Sequence, residues 1–172
     1  MFSTMKKMER ELIPPKEKKK RRKTQKEIFE LPKKYTKGLS EEDVKKKTEN
    51  VKKTKELLKK GKKKEAVKLA RKRPTTEDKT KSSNLIKFKK MFGDDVKPLT
   101  QKFASVTGIP LSIQKEIVKR GEGAFLSAGS RSSVSSPRQW GLGRLYAFYI
   151  KGISNKLDFD KDLLKKVKLK KK

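Results

Sequence analysis

The chain has 172 residues, of which 41% are charged and 31% hydrophobic, and its formal net charge is +31. It contains no cysteine and no histidine, which excludes disulfides, thiol chemistry, Cys/His zinc sites and the commonest general base at neutral pH. The length supports one domain, and only part of it carries enough apolar residues for a core.

The positive charge is spread over the whole chain. Residues 1–40 hold 14 lysines and arginines against 5 acids, residues 41–95 hold 20 against 10, and residues 96–172 hold 17 against 5. Such a chain repels itself and calls for a polyanion or an acidic partner: nucleic acid, anionic lipid headgroups or acidic protein surfaces. No apolar run approaches the roughly 18–20 residues that span a bilayer, and the N-terminus lacks a signal-peptide core.

Residues 1–40 read as an extended basic arm. Met1 to Ile13 can form a short amphipathic turn stopped by Pro14-Pro15. The run Lys18, Lys19, Lys20, Arg21, Arg22, Lys23 is a candidate polyanion contact. Ile28, Phe29, Leu31 and Tyr35 are apolar pegs in a connector whose Pro32 opposes continuous helix. Residues 41–84 read as a helical linker region. Ser40 caps a helix whose first turn, Glu41-Glu42-Asp43, suits the helix dipole. Val44, Val51 and Leu58 recur every seven residues, with Thr48 and Lys55 between them, and Gly61 ends the run.

Residues 85–169 read as a helical core domain, followed by a solvated basic tail, 170–172. Leu85, Ile86, Phe88, Met91 and Phe92 mark one helix face, and Leu99, Phe103 and Val106 mark a second helix closed by Gly108. A third helix runs from Ser112 to Arg120, with Gly121 at its end. Residues 121–135 form a glycine- and serine-rich loop. Ser136, Pro137 and Gln139 then supply the cap, first position and capping-box partner of a central helix carrying Trp140, Leu145, Phe148 and Tyr149, which Gly152 ends in a left-handed conformation. Leu163, Leu164 and Val167 make a last helical stretch. The expected fold is all-α, a small irregular helical domain with an extended basic arm.

Residues 99–120 have a helix–turn–helix look. On that reading Lys115, Lys119 and Arg120 contact phosphates and Gln114 contacts a base. Ser130-Arg131 and Arg144 suit an arginine that holds the backbone carbonyls of the loop, or one that binds a phosphate or carboxylate. The loop lacks the spacing of a phosphate-binding P-loop. Asp158, Asp160 and Asp162 lack the glycine and distal glutamate of a calcium loop, and Ser127, Ser130 and Ser132 have no evident base. The expectation is therefore no catalytic site, no cofactor and no metal.

LPKKYTKGLSEEDVKKK at 31–47, TGIP at 107–110, and KRGEGAFLSAGSR with SSPRQWGLGRLYAF at 119–148 resemble an uncharacterised domain family of large double-stranded-DNA viruses of algae and protists, with related copies in tailed marine phages. Gly121, Gly123, Ala124, Phe125, Ser127, Gly129, Ser130, Arg131, Trp140 and Arg144 fall on its pattern. Ser132 stands where that family tends to have proline, and Gly143 where it has alanine. The resemblance implies a viral setting and transfers no activity. Within it, the expected function is a minor capsid protein beneath the shell, assembled in the host cytoplasm, binding major and minor capsid proteins or the anionic inner membrane. The alternatives are a genome-condensing protein in the virion core that binds double-stranded DNA, and a helix–turn–helix-like regulator.

Overall fold

Ser40 and Ser136 cap the helices expected of them. The structure is a computed structural model, and it describes residues 30–76 and 82–171. Among these described residues eight helices follow in chain order: α1 (Lys33–Thr36), α2 (Glu41–Lys59), α3 (Lys63–Arg71), α4 (Ser83–Phe92), α5 (Gln101–Thr107), α6 (Leu111–Ala128), α7 (Pro137–Ile153) and α8 (Lys161–Leu164). No strand occurs among the described residues, so the fold is all-α. Residues 1–29, with the Lys18–Lys23 run and the pegs Ile28 and Phe29, lie outside the described residues.

The Ser40, Thr100 and Ser136 side chains each accept a hydrogen bond from the third residue of their helix. Each thereby satisfies an amide that the helix geometry leaves without a partner. Gln139 reaches back as a capping-box residue should, but its Oε1 takes the N–H of Ser135 rather than that of Ser136.

The long pair α6 and α7 is the centre of the fold. They run antiparallel and meet at two glycines: a Cβ on Gly121 would lie 2.6 Å from the Cα of Gly141, and one on Gly141 would lie 2.6 Å from the Val118 carbonyl oxygen. On one side of the pair, Phe88 of α4 is fully buried. It stacks on Phe103 at 4.9 Å between ring centroids and meets Tyr146 and Tyr149 of α7 at 5.0 and 5.7 Å. On the other side, Phe125, Leu126 and Ala70 gather Leu58, Val67, Val134 and Trp140 into a second apolar cluster.

Four expectations need correction. Gly121 does not end a helix: α6 continues through the supposed loop as far as Ala128, because glycine at 121 is what lets α7 approach. Gly152 has no left-handed backbone, and α7 runs on to Ile153. A Cβ on Gly152 would meet Leu169 at 2.5 Å, so this glycine serves packing rather than termination. Leu31 and Tyr35 belong to the compact unit that begins at Leu31, where they face Gly129, and so are not free pegs of an arm. Finally, Lys170 is not a loose tail: its N–H bonds the Thr107 carbonyl, its carbonyl accepts from Tyr149 Oη, and its Nζ bonds the Ser105 carbonyl.

Candidate polyanion-binding surface

The register of α2 decides which of its lysines face solvent. Lys47, Val51 and Thr54 are its buried residues. The inward stripe thus uses Lys47 and Thr54 where the heptad reading put Thr48 and Lys55. Lys47 is 0% exposed. Its Nζ donates to the Tyr35 carbonyl at 2.9 Å, and burial, with a smaller push from Arg73, lowers its pKa to about 8.

Arg73 is the second buried cation. Its Nε donates to Asn50 Oδ1 at 3.0 Å, while its two terminal nitrogens donate to the carbonyls of Phe125 and Leu126 at 2.6 and 3.1 Å. The guanidinium lies 5.0 Å from the Phe125 ring centroid. It closes the C-terminus of α6, adding to the Gly129 N–H that the Phe125 carbonyl already accepts, at a helix end whose dipole favours a cation. The arginine that holds carbonyls at the serine-rich loop is therefore Arg73, not Arg144. Sequence reading missed it because Arg71-Lys72-Arg73 looks like any other basic run here.

Arg144 holds Asp160 instead, through Nε at 2.8 Å and Nη2 at 3.1 Å, and stacks over Phe159. Arg120 meets the same carboxylate at 3.1 Å, Asp162 at 2.7 Å and Glu116 at 2.7 Å. Its hydrogen bonds hold the Asp162 carboxyl down at about 2. Asp160 has φ of 47°, a left-handed conformation that aspartate tolerates better than most residues, and the two arginines pin it there. Arg120 is thus occupied by three acids.

Gln114 is not a base contact. It is fully buried, accepts from the Leu99 N–H at 2.8 Å and donates to the carbonyls of Ile109 and Thr100 at 2.8 and 3.3 Å. It struts the α5–α6 turn from inside. Lys115 and Lys119 are exposed on α6.

The remaining motif residues are mostly spent on packing. Ser130 is buried, with its hydroxyl on the Val134 carbonyl, and Ser127 bonds the Gly123 carbonyl. Gly129 holds φ of 87° against Leu31 and Val51, Trp140 sets its edge against Tyr35, and Ala124 is half-buried. Gly123 has open space where a Cβ would go, and Arg131 is exposed.

What the fold leaves outside is a cationic lobe built by α2, the Gly61 turn and α3. From Lys59 to Lys72 the chain has eight lysines and arginines against Glu65 alone, and all eight are exposed. Ala66 and Ala70 face inward, which turns the α3 lysines outward. Ile86, on α4, is the only exposed large hydrophobic residue among those described, so the lobe carries no exposed large hydrophobic residue. The sequence contained this lobe openly, but only the helical register separates its surface lysines from Lys47 and Arg73.

The model of one protein family, described as a family of unknown function (DUF5824), matches residues 32–164. No curated protein and no solved structure matches the chain.

Proposed function

The chain belongs to DUF5824, a family of unknown function, and from that premise we propose that it is a non-enzymatic, basic structural protein of a virus particle that binds a polyanion. The observation that carries the reading is the lobe at 59–72: eight exposed cations with one acid among them. Held on two short-linked helices, these charges cannot spread apart, and their repulsion falls only when counter-charge arrives. Salt ions supply it weakly. A polyanion supplies it with release of its own counterions, which adds a favourable entropy.

The viral setting rests on the resemblance carried by residues 31–47, 107–110 and 119–148. A particle of that kind offers three polyanions on the inner side of its shell: acidic faces of major and minor capsid proteins, anionic headgroups of an inner membrane, and the packaged DNA. A position beneath the shell puts the protein against all three. The burial of Gln114 and the pairing of Arg120 with acids take from the 99–120 hairpin the side chains a sequence-reading helix needs, which disfavours a regulator.

Fractionation of particles tests the proposal. The protein is expected in purified virions, retained by shells or cores at low salt and stripped by about 1 M salt, where the Debye length falls to about 3 Å. Absence from particles, or retention that ignores salt, would sink it.

A further inference from the structure

On α2, lysines recur in two rows with a period of seven, Lys45/Lys52/Lys59 and Lys46/Lys53/Lys60. The rows differ in what they touch. Lys46 and Lys53 are paired with Glu42 and Glu49, at 3.7 and 2.7 Å. Among the described residues, Lys45, Lys52 and Lys59 are exposed and make no salt bridge. An α-helix rises 1.5 Å per residue, so seven residues put neighbours in this row about 10.5 Å apart and spread the three over about 21 Å. The row ends at the Gly61 turn, beyond which Lys63 and Lys64 are exposed and form no ion pair with a described residue.

We infer that the partner of this lobe is duplex nucleic acid, gripped along its phosphates, without reference to sequence, by the unpaired row of α2 and the turn that follows. The inference rests on the polyanion-binding reading above and narrows it to one ligand and one face. Three observations favour a duplex over an acidic protein surface. Seven of the eight cations at 59–72 are lysine, whereas the cores of protein interfaces are depleted in lysine and enriched in arginine and aromatics. The lobe has no exposed large hydrophobic residue to serve as the buried anchor such an interface needs. The charge is also laid out as a line of at least 20 Å or so rather than a pocket, which suits a ligand that repeats its charge at short, regular intervals. The interval of about 10.5 Å is close to the roughly 12 Å width of the B-form major groove, a span that flexible lysine side chains close.

Binding of the full-length protein to a 30-base-pair duplex of arbitrary sequence, followed by fluorescence anisotropy across a salt series, tests the inference. Each phosphate neutralised contributes roughly −0.9 to the log–log salt slope. The triple variant Lys45→Gln/Lys52→Gln/Lys59→Gln is expected to lose about 2–3 from the slope magnitude, while Lys46→Gln/Lys53→Gln loses less than about 1. A duplex of unrelated sequence should bind within about twofold, as phosphate-only contact requires. Circular dichroism melting checks that both variants fold. Equal slopes for the triple variant and the unmodified protein would overturn the assignment of this face and leave polyanion binding intact. Binding to poly-glutamate or to phosphatidylserine vesicles without binding to the duplex would overturn the choice of ligand. Failure to bind any of the three would overturn both this inference and the reading beneath it.

Discussion

Lys47 places an ammonium where no water reaches, with a single carbonyl as its hydrogen-bond partner. Charging it there is costly, which is why its pKa falls to about 8. In the unfolded chain it titrates near the ordinary lysine value of about 10.4. Between about pH 8 and 10 the unfolded chain therefore holds a proton that the folded chain has released, and unfolding free energy rises with pH. The slope is at most about 1.4 kcal/mol per pH unit for one group. Tyr35, beside it, acts in the opposite sense. Burial raises the Tyr35 hydroxyl pKa, so above about pH 10 the unfolded phenol ionises first and stability falls again. Burial lowers the Arg73 pKa to about 10 as well, so its own contribution, of the same sign as that of Lys47, comes mainly above pH 10. Urea melts from pH 7 to 10 should show the rise in the unmodified protein and not in Lys47→Met, which keeps the chain length and drops the charge. An identical rise in the variant would mean that another group titrates.

At the scale of elements, three glycines of the α6–α7 pair make opposite predictions. Gly121 and Gly141 touch, so Gly121→Ala forces a methyl group to within 2.6 Å of a backbone carbon and must push the helices apart. Overpacking of this kind costs about 1–3 kcal/mol, and here backbone, not a side chain, has to yield. Gly143, two residues after Gly141, has nothing near its Cβ position. Gly143→Ala should therefore stabilise α7 by about 0.5–1 kcal/mol through helix propensity alone. Thermal melts of the two variants should move in opposite directions, and a shared direction would contradict the crossing. These glycines also show what the sequence could and could not convey. Ser40, Ser136 and Gly108 were legible because capping is local chemistry, settled within four residues. Gly121 and Gly152 read as helix stops because a glycine that admits a neighbouring element looks the same, in one dimension, as a glycine that ends a helix. Gln114 and Arg120 were placed outside for a related reason: their partners, Leu99 and Asp160–Asp162, lie 15 and about 40 residues away, and no local pattern announces them. The lysine lobe was plain in composition, yet its sorting into a buried Lys47, paired Lys46 and Lys53 and unpaired Lys45, Lys52 and Lys59 needed the register of α2.

For the whole molecule, the decisive quantity is a net charge of +31 on 172 residues. The described ion pairs bind many of the acids to neighbours, as at Asp160, Asp162, Glu42 and Glu49, and most of the lysine surface has no acid left to face. Folding brings these cations closer together than the unfolded chain does, so the folded state carries the larger electrostatic penalty. Raising ionic strength from about 10 mM to about 100 mM shortens the Debye length from about 30 Å to about 10 Å, less than the span of the lobe. Melting temperature should thus climb with sodium chloride over this range, opposite to a protein held by surface salt bridges, which loses a little stability as they are screened. A magnitude follows from the size of the unit: each kcal/mol of relieved repulsion is worth about 2–8 °C for domains of 60 to 250 residues. Added duplex DNA at low salt should raise the melting temperature further, because a ligand that binds only the folded state stabilises it by mass action, and the increment should vanish as salt releases the complex. A melting temperature that falls with salt would show that intramolecular ion pairs outweigh the repulsion. The lysine surface would then be in balance with its own acids, with no excess charge left to hold a polyanion.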